Sequence, residues 1–176
     1  GLNNYIYVKN PVRWVDPLGL TCKEIPENYD PLTDTYTGVD INLFPTNEHI
    51  HYYAKKVPNN HTSLSIGAHG DPHEIIDQNH NPISANKLAQ MILSHPKYEP
   101  GMRVNLLSCN TGNFKANSNC YAQQLANEIK SDVLAPDTTL WYWPDGKVAP
   151  YEELEIGGID YNRPGNFYLF KPQNGL

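Results

Sequence analysis

Two stretches decide how this chain is read. They are Ser63-Leu64-Ser65-Ile66-Gly67-Ala68-His69-Gly70 and, about forty residues on, Arg103-Val104-Asn105-Leu106-Leu107-Ser108-Cys109-Asn110-Thr111-Gly112. Each is an apolar run ending in a reactive side chain close to a glycine, and each is followed by residues at helical spacing. Short apolar runs bounded by turn formers and alternating with helices are the pattern of buried strands in a parallel sheet. The expected fold class is therefore α/β with a mostly parallel central sheet. Ligand sites in such sheets lie beyond the carboxyl ends of the strands. His69 and Cys109 are thus expected to meet at one edge, a base beside a thiol with backbone N–H groups near enough to hold an oxyanion.

The flanking elements follow from caps, breakers and period. Pro45-Thr46-Asn47 starts a helix over 47–57, with Glu48 in its first turn and Ile50, Tyr53, Ala54 and Val57 at helical spacing. Ser84 caps a helix over 84–95, which Pro96 ends. Tyr121, Ala122, Leu125, Ala126 and Ile129 mark a third, amphipathic helix after the polar loop 113–119. Gln78-Asn79-His80-Asn81 predicts a short hairpin, and Pro144-Asp145-Gly146 another between arms 138–143 and 147–151. Strands are also expected over 39–44, at Val133-Leu134 before Ala135-Pro136, and over 166–171.

Composition narrows the class. The 176 residues are 39% hydrophobic and 18% charged, as in globular domains, and no apolar run nears the ~20 residues of a membrane helix. The formal net charge of −6 disfavours a partner held by phosphate contacts, so neither nucleic acid nor membrane is expected. Three cysteines, Cys22, Cys109 and Cys120, lack metal-ligand spacing, and their odd number fits a reducing compartment. A chain that opens on Gly1 and not Met is expected to be a piece of a longer polypeptide.

Residues 1–20, GLNNYIYVKNPVRWVDPLGL, form an aromatic β-like run broken by Asn-Pro and Asp-Pro turns. In their order Asn3, Tyr5, Tyr7, Asn10, Pro11, Asp16, Pro17, Gly19 and Leu20 resemble the segment that closes the Rhs-repeat core of polymorphic toxins. The resemblance implies aspartate-dependent cleavage after Leu20, with Asp16 one of the two cleavage aspartates and the other upstream of this chain. It also implies three parts: the end of an Rhs core at 1–20, a linker at 21–45, and a toxin domain at 46–176. Such a domain is secreted by a producer, delivered to the cytoplasm of a target cell, and held by the rest of the core and a cognate immunity protein.

The order strand–His69-Gly70, helix, strand–Leu107-Ser108-Cys109-Asn110-Thr111-Gly112, helix, strand–Ala135-Pro136 resembles the caspase-like (clan CD) cysteine peptidases over roughly residues 60–136. The resemblance implies a caspase-like three-layer sandwich. It implies Cys109 as nucleophile, His69 as base and later acid, and the N–H groups of Gly70 and Cys109 as oxyanion hole. It also implies a protein substrate in the target cell and no cofactor or metal. A dyad of this kind needs no third acid; Asp71 is the nearest group that could orient the imidazole. Trp141, Trp143 and Asp145 stand where such enzymes shape a substrate pocket, with Asp145 suited to a basic residue.

Two other functions compete. His49, His51, His69 and His73 could serve a metal-dependent nuclease, although residues two apart on a helix face different ways and no HExxH pair is present. A module that only processes its own chain is the third.

Overall fold

The computed structural model describes residues 30, 32–33 and 35–173. The segment carrying Asp16, Leu20 and Cys22, with the whole Rhs-like stretch 1–20, lies outside the described residues.

In chain order the elements are β1 (Thr35–Thr37), β2 (Ile41–Asn42), α1 (His49–Ala54), β3 (Pro58–Asn60), β4 (Ser63–Gly67), β5 (His69–Gly70), β6 (Ile75–Ile76), β7 (Pro82–Ile83) and α2 (Ala85–Leu93). Then come β8 (Arg103–Leu107), α3 (Tyr121–Ile129), β9 (Val133–Pro136), β10 (Leu140–Tyr142), β11 (Val148–Glu153), β12 (Ile159–Pro164) and β13 (Phe167–Phe170). Local chemistry explains the ends. The Ser84 hydroxyl accepts the Lys87 N–H at 3.3 Å and starts α2. Pro58 bars Val57 from helical geometry, so α1 stops after six residues instead of running to 57. Lys130 closes α3 in the left-handed region, at φ 55°.

The strands form four small sheets, ordered β1-β3, β10-β11-β12, β13-β9-β8-β4-β2 and β5-β6-β7. In the five-stranded sheet β2, β4, β8 and β9 run parallel, and β13 is antiparallel to β9. The pairing β4–β8 is in continuous register from Ser63↔Arg103 to Gly67↔Leu107.

The expected caspase-like three-layer α/β sandwich is not the fold. Strands hold 34% of the residues and helices 17%, spread over several small mixed and antiparallel sheets, and no solved structure matches the chain. The reason is the shortness of the helices together with where they lie. The side chains of α2 and α3 join Leu64, Ile66, Val104, Leu106 and Val133 in one core, so both helices cover the same sheet face. On the opposite side the described residues supply only the six-residue α1, which lies against β10. There Val39, Val57, Leu107, Leu140, Tyr142, Val148 and Phe167 pack together, drawn from loops, β8, the hairpin β10–β11 and β13. Residues 35–44, read as the end of a linker, supply β1 and β2 to the body.

That opposite face changes character along the strands. At its amino end it is polar and buried. Lys97, whose side chain is 10% exposed, sits 2.8 Å from the Asp40 carboxylate, itself 6% exposed. The carboxylate also accepts the Tyr36 hydroxyl at 2.6 Å, the Ser65 N–H at 2.7 Å and the Asn59 amide at 3.0 Å. Burial pulls the Lys97 ammonium below its ordinary value, opposed by Asp40. Among the described residues no helix is long and apolar enough to cross a membrane.

A buried cation stripped of its counter-charge costs about 3–5 kcal/mol. Asp40→Ala is therefore expected to lower unfolding free energy by that amount in a urea titration. Lys97→Met added to it should restore a large part, because the second change removes the orphaned charge. If Asp40→Ala unfolds at the wild-type urea concentration, the pair carries no such weight.

Candidate active site at the ends of β4 and β8

The in-register parallel pair β4–β8 ends at Gly67↔Leu107; two residues later His69 opens β5, and two residues later Cys109 stands in the turn after β8. Cys109 packs against the cluster of Leu107 and Leu140, on the face away from α2 and α3. Phe44 lines this side. Its ring meets the His69 imidazole edge-on at 5.0 Å and the Tyr142 ring at 5.3 Å. Tyr142 in turn packs in the same cluster as Cys109 and donates its hydroxyl to the Leu107 carbonyl at 2.7 Å. Imidazole and thiol are thus joined through the packed rings of Phe44 and Tyr142.

The imidazole is oriented by a residue the sequence did not single out. His69 Nε2 lies 2.5 Å from Glu48 Oε2, both side chains about one-third exposed. An ionised carboxylate only accepts, so Nε2 carries the hydrogen and Nδ1 is the nitrogen free to take a proton. Glu48 occupies the N-cap of α1 but makes no capping bond with its side chain. Ser, Thr, Asp and Asn cap best. A glutamate at a cap, its carboxylate unused by the helix, is the signal that could have found it. Asp71, the orienter considered from sequence, is occupied otherwise: its Oδ1 accepts the N–H groups of His73 at 2.6 Å and Glu74 at 2.9 Å.

Cys109 is half-buried. Its sulfur accepts the Leu140 N–H at 3.3 Å and faces the Leu140 carbonyl at 3.7 Å. Among the described residues it has no hydrogen bond to His69. Burial pushes the thiol above its ordinary value, while the N–H groups of Leu140 and of Cys109 itself pull it down; the Glu153 carboxylate adds a smaller upward push. The next residue, Asn110, has φ 58°, a left-handed turn that asparagine tolerates. Its N–H donates to the Thr138 carbonyl at 2.9 Å, which fixes the loop just past the sulfur.

Gly70 belongs to β5, opposite Ile75. The neighbouring bond from Asp71 N–H to the Glu74 carbonyl at 2.9 Å makes Gly70 the unbonded position of that ladder, so its N–H points away from β6. A β-carbon at Gly70 would come within 2.5 Å of Ser108 Oγ and 3.0 Å of both Ile75 and Thr111. Only glycine lets these two strand ends close on each other. Ser108 Oγ, buried there, has no hydrogen-bond partner among the described residues.

The other candidates are placed apart or occupied. Trp141 donates its indole N–H to the Tyr151 carbonyl at 3.1 Å, Trp143 lies 5.2 Å beneath the Lys147 ammonium, and Asp145 accepts the Lys147 N–H at 3.0 Å within the hairpin turn. His51 Nδ1 bonds the Phe44 carbonyl at 2.9 Å, His49 stacks on Tyr53, and His73 contacts Asn117. The four histidines do not converge, and no group of three metal-ligating side chains is assembled among the described residues. Cys109 and Cys120 are free thiols.

The fold is a strand-rich domain of several small mixed and antiparallel sheets, with His69 and Cys109 just past the ends of two central strands. The chain belongs to the family described as a domain of unknown function, DUF8616, whose model matches residues 39–150. It is 38% identical over 112 residues, 64% of this chain and 40% of the relative, to the putative uncharacterized protein YibJ of Escherichia coli strain K12. The chain thus spans about two fifths of that relative's length. Glu48, His69, Gly70 and Cys109 all fall within the family-matched residues, and β12 and β13 fall outside them.

Two outcomes follow from this packing. Gly70→Ala should destabilise by about 1–3 kcal/mol through overpacking against Ser108, measured by chemical denaturation, and Ser108→Gly in the same chain should relieve part of it. In a Cys22→Ser, Cys120→Ser background, iodoacetamide alkylation of Cys109 should rise with pH to a midpoint above the ~8.5 of a free thiol. A midpoint below that value would mean the sulfur is not desolvated.

Proposed function

We propose that the domain is a cysteine-dependent hydrolase of peptide bonds, with Cys109 as nucleophile, His69 as general base and acid, and Glu48 holding the imidazole by Nε2. The observation that carries the reading is the β4–β8 register. The two strands end at one level, each two residues before the imidazole or the thiol, and a carboxylate is bonded to the imidazole's Nε2, which supports the reading. The fold resemblance does not support it; the side-chain chemistry does.

The steps balance within these groups. Nδ1 of His69 takes the thiol proton as sulfur attacks the substrate carbonyl carbon. Gly70 N–H, turned away from β6, is placed to donate to the resulting oxyanion. The imidazolium returns the proton to the leaving amine, and a water then releases the acyl group from sulfur by the same route in reverse. In the resting state the sulfur is turned to Leu140, so attack requires rotation about the Cys109 Cα–Cβ bond. Catalytic hydrogen bonds often tighten only once substrate is bound. The Rhs-like residues 1–20 support a setting in which this activity is delivered into a competitor cell and restrained by an inhibitor protein.

N-terminal proteomics of cells expressing the chain tests this reading. New amino termini should appear with wild type and vanish with Cys109→Ala. On a purified substrate His69→Ala should lower kcat about 10²–10⁴-fold, and Glu48→Gln by less, because it removes orientation and keeps the base. If Cys109→Ala leaves the same termini, the thiol is not the nucleophile.

A further inference from the structure

One surface of the molecule is basic, although the chain as a whole is acidic with a formal net charge of −6. It is built where the end of α1 meets the turn between β10 and β11. Tyr52, Lys55 and Lys56 stand three and four residues apart as α1 closes, a spacing that brings side chains to one side of a helix. The Lys56 ammonium donates to the Pro144 carbonyl at 2.8 Å and so joins the hairpin turn to the helix. The approach is close. A β-carbon at Gly146, where φ is +89°, would come within 2.0 Å of the Lys56 carbonyl oxygen. From the hairpin side Trp143 and Lys147 complete the surface, the Trp143 N–H donating across the turn to the Lys147 carbonyl at 2.9 Å.

Two features set these cations apart. Lys55, Lys56 and Lys147 are exposed, and among the described residues none of them forms an ion pair. Two of the ammonium groups are also held in place: Lys55 lies 5.5 Å over the Tyr52 ring and Lys147 lies 5.2 Å over the Trp143 ring. A lysine in water samples many rotamers, and resting it on a ring removes part of the entropy that binding would otherwise cost. The surface therefore presents unpaired positive charge in a preset arrangement.

The rings say which anion fits. A single-stranded nucleic acid binds by stacking bases on open aromatic faces. Here one face of each ring is already taken by the protein's own lysine. The acidic remainder of the chain also opposes a phosphate strand, with its charge every ~3.4 Å, more than an extended polypeptide with a carboxylate at every second residue, every ~6.6 Å.

We propose that the end of α1 and the β10–β11 turn together form a docking surface for an extended, acidic segment of another protein, its carboxylates reaching Lys55, Lys56 and Lys147. The docking does not rest on the hydrolase reading. α1 is capped by Glu48 and β10 ends at Tyr142, so a bound partner bears on two elements that also build the candidate active site.

The full chain is titrated at low salt with three fluorescein-labelled decamers: a peptide alternating Glu and Ser, one alternating Gln and Ser, and oligothymidylate. Anisotropy should show the Glu-Ser peptide binding about tenfold more tightly than the Gln-Ser peptide, the effect of three exposed ion pairs, and more tightly than the oligothymidylate. Added salt should weaken it. Amide shifts on adding the Glu-Ser peptide should concentrate in residues 52–56 and 143–147. Lys55→Gln with Lys147→Gln should weaken binding about fivefold. Lys87→Gln with Lys130→Gln, which removes the same charge from the surface of α2 and α3, should leave it unchanged. Tighter binding of the oligothymidylate assigns the surface to nucleic acid and overturns the proposal. Equal binding of the two peptides, shifts confined to other elements, or equal weakening by the two double variants overturns it as well.

Discussion

The parallel pairing of β4 with β8 is the constraint on which the rest depends. Five consecutive residue pairs lock two strands whose odd and even positions go to different worlds. Leu64, Ile66, Val104 and Leu106 join the α2/α3 core, while Ser63, Ser65 and Asn105 enter a buried polar layer and Leu107 a small apolar cluster. A slip of one residue would send every one of these to the wrong face. Register is therefore strongly specified here. The same register fixes the level at which His69 and Cys109 emerge. Stability and chemistry are set by one pairing.

The polar layer explains how a sheet with so few helices keeps its second face dry. Asp40 accepts from Tyr36, Asn59, Lys97 and the Ser65 backbone, so its carboxylate is well supplied with donors although it is withdrawn from water. Lys97 comes from the loop between α2 and β8, Tyr36 and Asn59 from the β1–β3 pair. One buried ion pair thus ties a loop, a small sheet and the central sheet together. Replacing such a pair by apolar residues is often neutral for stability. Its contribution here is to which strands meet: an apolar patch would accept several registers, a fully donated carboxylate accepts one.

Much of this was legible in the sequence. Ser84 and Pro96 bracketed α2, the Ile129 periodicity marked α3, and the turn Pro144-Asp145-Gly146 announced the β10–β11 hairpin. The apolar runs around Ile66 and Leu106 gave the two central strands and placed His69 and Cys109 at their ends. What failed was the step from strands and helices to layers. Periodicity says that a helix has an apolar stripe; it does not say that α2 and α3 share one face and leave the other to strands and the short α1. β1, β3 and β5 are two or three residues long and carry Pro58, Asn59 and Gly70, with no alternation to detect. β12 is exposed along most of its length, so it lacks the hydrophobic signal of a buried strand. Glu48 stood out in the sequence only as a helix-start residue; its bond to His69, twenty-one residues on, is made by the fold.

Withdrawal from water works against the proposed role of Cys109 as nucleophile, since burial favours the neutral thiol. The same burial strengthens whatever ion pair the thiolate can make. On the proposed reading, transfer of the thiol proton to His69 Nδ1 leaves an imidazolium between the thiolate and the Glu48 carboxylate, an arrangement that low dielectric favours over isolated charges. The Leu140 hydrogen bond that must be given up is a weak one to sulfur, worth less than the ~1 kcal/mol of an ordinary bond. Rotation between staggered wells is enough to exchange it for the imidazole.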